Sequence, residues 1–126
     1  MAKSVNAVVA STGDFYGVRK YGIIVYDGEV KRIDLPQHVD VCYIDEQGDM
    51  LFSYAGELTT MEEAQKFVDE NNIRFSMAFG PIIKDHDRIR DVSYYALGQG
   101  EDTYPRAALC QKGELHYIVA IVNREG

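Results

Sequence analysis

The sequence has little of several things. It holds no tryptophan, three prolines, three histidines and two cysteines in 126 residues. Cys42 and Cys110 stand far apart and make no short-spaced motif. His38, His86 and His116 have no metal-ligand spacing to one another or to the cysteines, and they read as surface or strand-face residues. Positive charge is in the minority: 13 Lys and Arg face 20 Asp and Glu, for a formal net charge of −7. An acidic chain is a poor electrostatic partner for a phosphate backbone, so no nucleic-acid partner is expected. No apolar stretch approaches the roughly 20 residues of a membrane helix, and no membrane span is expected. The opening MAKSVNAVVAST carries one Lys and an interrupting Asn6, too short and too polar for a signal peptide. A glycine-rich phosphate loop and a nucleophile elbow are absent too.

What the chain does have is apolar material and turn signals. Hydrophobic residues make up 46% and charged residues 26%, ordinary for one soluble domain of this length. Strand signals dominate. Ser4–Ala10 is the first. Tyr21–Tyr26 and Glu29–Asp34 flank Asp27-Gly28, a pair suited to a two-residue hairpin turn. Val39–Asp45 and Met50–Ala55 flank the acidic, Gly-bearing loop 46–49 and read as a second hairpin. Ile73–Phe79 is a further strand, broken by Gly80-Pro81. Ile82–Lys84 is extended before a turn at Asp85-His86-Asp87, and 91–103 is irregular. Ala107–Gln111 and Glu114–Val122 form a last hairpin around Lys112-Gly113, and its HYIVAIV run is the most β-prone of the chain. The cysteines sit in strand-like apolar runs, which suits buried free thiols; a disulfide between neighbouring strands is the alternative.

One helix stands out, from Met61 to about Asn71. Thr60 and Glu63 have the spacing of a capping box. Met61, Ala64, Phe67 and Val68 share one face, and Glu62, Gln65, Lys66 and Asp69 are expected to face water. The expectation is an α+β domain: a mainly antiparallel sheet built from hairpins, with one main α-helix packed on it, over 1–126 as a single unit. The mixed charges Asp85, Asp87, Asp91, His86, Arg88 and Arg90 read as a solvated turn, since a calcium loop needs another spacing.

Three places resist a bland reading. Ser11–Gly17 spends small polar residues, one carboxylate and two aromatics on a loop. Arg106, in Tyr104-Pro105-Arg106, carries a planar fork at the mouth of an apolar strand, suited to phosphate or carboxylate. Asn123-Arg124 follows the strongest strand. In this order, AVVASTGDFYG, YGIIVYDGEV, MAFGPIIKDHDRI, YPRAALCQKGELHYIVAIV and NREG resemble the phosphodiester glycosidase domain family, relatives of the enzyme that removes N-acetylglucosamine from mannose 6-phosphate.

The resemblance implies a pocket for a sugar phosphate or related glycan and no cofactor. It implies Asp14 and Arg106 as catalytic candidates, with Thr12, Gly13, Phe15, Tyr16, Asn123 and Arg124 binding the ligand and no metal site assigned. Gly13 would let backbone approach the ligand, and Phe15 and Tyr16 offer flat surfaces. It further implies an exported or cell-surface bacterial parent protein, of whose domain this chain is the N-terminal portion. Thr12 stands where the family has Asn, and Asn123 where it has Asp. A second reading is therefore a non-catalytic carbohydrate-binding or protein-interaction module on the same scaffold. The apolar Glu114–Val122 strand is expected either at the centre of a sheet or buried in a homo-oligomer.

Overall fold

The computed structural model describes residues 21–34, 39–78, 80–93 and 106–123. Strands β1 (Gly22–Tyr26), β2 (Glu29–Asp34), β3 (Val41–Asp45), β4 (Met50–Ser53) and β5 (Ile73–Met77) form one antiparallel sheet in the order β2-β1-β5-β3-β4. The helix α1 (Met61–Glu70) connects β4 to β5. The insertion of β5 between the two hairpins makes them one sheet.

Local chemistry explains each corner. Asp27 and Gly28 both have positive φ, 54° and 80°, as a tight hairpin with right-handed strand twist requires. Asp27 also pairs with Arg74 on β5. At the second hairpin Asp45 Oδ1 accepts from the amides of Gln47 (2.9 Å) and Asp49 (2.7 Å) and closes the turn. The expected capping box is formed: Glu63 N donates to Thr60 Oγ1 at 3.1 Å, and the Glu63 carboxylate accepts from the Thr59 and Thr60 amides. Those bonds favour the ionised carboxylate and hold Glu63 below its ordinary value, the Thr59 amide contributing most.

The core lies between α1 and one sheet face. Ile23, Val25, Val30, Val41, Tyr43 and Ile73 meet Ala64 and Val68, with Phe67 and Leu51 packed against them. Phe67 tilts against the Tyr43 ring at 5.1 Å. Burial pushes the Tyr43 hydroxyl up to about 12, and it keeps a 2.8 Å hydrogen bond to Ser53. Two helix expectations are corrected. Met61, the first residue of the helix, is 45% exposed. Gln65 does not simply face water: it donates to Gly28 O (3.1 Å) and accepts from Val30 N (2.9 Å), tying the helix to the first hairpin.

Two small hairpins complete the described residues. β6 (Lys84–Asp85) pairs β7 (Arg88–Ile89), which places the expected turn at His86-Asp87. β8 (Arg106–Gly113) pairs β9 (His116–Val122) antiparallel. Their turn is Glu114-Leu115, two residues later than the expected Lys112-Gly113. Tertiary contact overrides turn chemistry here. Leu115 takes a φ of 50°, and its side chain lies so close to Gly48 that a Cβ there would stand 2.7 Å from it. Gly48 itself has φ 91°, so glycine is required twice over.

The sheet of β8 and β9 has two strands among the described residues, and every β9 residue is exposed. The central-strand expectation for Glu114–Val122 is thereby corrected. Burial of both thiols is corrected as well: Cys110 is exposed and Cys42 half-buried, and both are free. Desolvation raises the Cys42 thiol to about 12, which disfavours its thiolate form. Ser4–Ala10 lies outside the described residues.

Candidate functional site

The ladder of β8 and β9 decides what can be located. Its register pairs Arg106 with Val122, so Arg106 and Asn123 lie at the same end of the hairpin, one register position apart. Both are exposed. That end is opposite the Glu114-Leu115 turn, which rests on the loop between β3 and β4. There Gln111 accepts from Met50 N at 2.7 Å and donates to Asp49 at 2.6 Å, and Tyr117 donates to Gly48 O. The hairpin is held at its foot and presents Arg106 and Asn123 at its far end. Arg124 follows Asn123 directly in the chain. Thr12, Gly13, Asp14, Phe15, Tyr16 and Arg124 lie outside the described residues.

A second polar group gathers around Ile82, and the charge pattern alone did not reveal it. Asp40 is 1% exposed, just before β3. Its carboxylate accepts from Ala55 N (3.1 Å) and Ile82 N (3.0 Å), and pairs with Arg90 at 3.4 Å. The Arg90 guanidinium lies 4.0 Å over the Tyr54 ring. Tyr54 donates its hydroxyl to Asp85, and His86 Nδ1 lies 2.7 Å from the other Asp85 oxygen. This bond stabilises the Asp85 carboxylate and the Tyr54 phenol, so Asp85 is held below its ordinary value and Tyr54 above its own. Asp40 thus clasps three backbone segments: the start of β3, the exit of β4 and the stretch before β6. The expected solvated turn is half right. His86 and Asp87 are exposed, but Asp85 and Arg90 anchor it. The sequence signal that could have found Asp40 is a lone acid placed directly before the apolar strand Val41–Ile44.

A depression of about 260 Å³ lies beside α1, lined by Gly28, Glu46, Asp69, Asn72, Ile73 and Arg74. It is smaller than a typical ligand pocket of about 300–1,000 Å³, and no β8 or β9 residue lines it. Among the described residues no cluster of His, Cys, Asp and Glu could hold a metal ion. No described helix is long and apolar enough to cross a membrane. No protein-family model, curated protein or solved structure matches the chain.

Proposed function

We propose that the chain belongs to a sugar-phosphodiester-handling domain, phosphodiester glycosidase-like, that hydrolyses or binds sugar-1-phosphodiesters or related glycans. The ordered sequence motifs motivate this reading, and the observation that supports it is the pairing of Arg106 with Val122, which sets Arg106 and Asn123 at the same end of the hairpin. Cleaving such a bond develops positive charge at the anomeric carbon while an anionic phosphate departs. The Arg106 fork matches two phosphate oxygens and would stabilise the departing group. Asn123 would add a neutral donor and acceptor at the same end of the hairpin. Asp14 is the acid candidate, and Thr12, Gly13, Phe15, Tyr16 and Arg124 would complete the pocket around the sugar.

The test is turnover of a chromogenic sugar-1-phosphodiester, with calorimetric titration of the sugar 1-phosphate and of the neutral sugar. Arg106→Ala should weaken the phosphate ligand by roughly tenfold to a hundredfold, the value of a charge-assisted hydrogen bond, and spare the neutral sugar. Equal loss for both ligands, or none for either, would remove Arg106 from the anion site. A second reading, a non-catalytic carbohydrate-binding or protein-interaction module, is favoured by the bare apolar hairpin that carries Arg106. Sugar-phosphate binding without turnover would select its carbohydrate-binding form.

A further inference from the structure

The outer strands of this protein are not protected alike. β2 edges the five-stranded sheet with Glu29, Lys31, Arg32 and Asp34, and its pairing to β1 contains a bulge. β4, the opposite edge, is four residues long, and Gln111 already occupies its Met50 amide. Charges, bulges and shortness are the devices that keep strand edges from pairing. β8 carries Arg106 and Lys112. The irregularity in the β8–β9 ladder, between Gln111 and Gly113, lies on β8 near the turn, and β9 itself runs seven residues, His116-Tyr-Ile-Val-Ala-Ile-Val122, without acid, Lys, Arg or proline. Ile118 is 46%, Val119 46%, Ile121 64% and Val122 53% exposed. A two-stranded sheet is marginal in water, and three or more strands are needed for independent stability.

We propose that β9 is a self-association edge, and that a second copy of this chain pairs with it antiparallel about a two-fold axis at Val119. The strand is complementary to itself in that register. Val119 faces Val119, Ile118 faces Ala120, Tyr117 faces Ile121 and His116 faces Val122, with no acid, Lys or Arg opposed to another. The product is a four-stranded sheet, β8-β9-β9-β8. Seven residues make an edge of only about 23 Å, so the dimer is reversible and concentration-dependent rather than obligate. Arg106 and Asn123 lie at the end of each hairpin, and pairing along β9 sets the two copies' Arg106 ends at opposite ends of the shared sheet.

Sedimentation of the full chain across a concentration series tests this, with Val119→Lys and Val119→Glu as variants. The wild type should show a monomer–dimer equilibrium. Each variant alone should dissociate, raising the dimer Kd at least roughly tenfold, because like charges meet on the axis. Mixed one to one, the two variants should form a heterodimer. Val119→Cys in a Cys110→Ser background should cross-link to itself on oxidation, since directly opposed residues in an antiparallel pair lie within disulfide reach. A wild-type monomer at every concentration overturns the proposal. So do dimers that persist in Val119→Lys, variants that do not reassociate when mixed, and a cysteine variant that does not cross-link.

Discussion

The five-stranded sheet and the β8–β9 hairpin are made of similar residues and held in opposite ways. In the sheet, Ile73 is 1% exposed under α1, and its neighbours interlock across four strands and a helix. In the hairpin, Ile121 is 64% exposed, and among the described residues β9 pairs only with β8. Among the described residues the hairpin's hydrogen bonds to the sheet are gathered at its foot, on Gly48, Asp49 and Met50. Apolar content alone therefore does not make a core. A strand contributes to one only when a second layer faces it, and α1 supplies that layer for one region and not the other.

The largest effects should fall where the second layer exists. Ile73→Ala should lower unfolding stability by about 4 kcal/mol, transfer and cavity terms together. Ile121→Ala, the same deletion on the hairpin, should cost less than about 1 kcal/mol under dilute, monomeric conditions. Urea melts of the pair measure the contrast, and equal losses would show that the hairpin belongs to the same core. Asp40→Ala comes next, at about 3 kcal/mol, because the Ala55 and Ile82 amides and Arg90 lose one acceptor together. Gly48→Ala should cost about 2 kcal/mol: a Cβ meets Leu115 at 2.7 Å and the Tyr117 hydroxyl at 2.8 Å, at a φ of 91°. Amide shifts in that variant should spread through the hairpin and stop at β3.

These contrasts also separate what the sequence discloses from what it hides. Asp27-Gly28, the Thr60–Glu63 capping box and the 46–49 loop were legible because their chemistry is local: a few adjacent residues fix φ or satisfy a helix end. The last turn falls at Leu115, whose φ is 50° and whose side chain packs against Gly48, 67 positions away, a contact no local pattern announces. Asp40 was missed for the same reason. Its partners, Ala55, Ile82 and Arg90, come from three later segments, and no spacing announces them. Of the candidate site, Arg106 and Asn123 could be chosen from the sequence, but their placement at one end of the hairpin depends on the β8–β9 register.

Smaller effects remain. Thr60→Ala should cost about 1 kcal/mol, read as a lower Tm, since the hydrogen bond from Glu63 N to Thr60 Oγ1 is lost from the helix start. Acid should loosen the clasp on β6 gently. Tyr54 lowers the folded Asp85 value, so Asp85 contributes stability above the ordinary Asp value near 4 and loses it as pH falls through the folded one. Comparing Tm at pH 5 and pH 3, Asp85→Asn should fall less than the wild type.

The most direct test of the contrast is hydrogen exchange at several protein concentrations. If the sheet is self-sufficient and β9 gains its missing neighbour from a second copy, amides of β1, β3 and β5 exchange at rates independent of concentration, while protection of Tyr117–Val122 rises with it. Strong β9 protection at the lowest concentration, or none at the highest, would contradict the account.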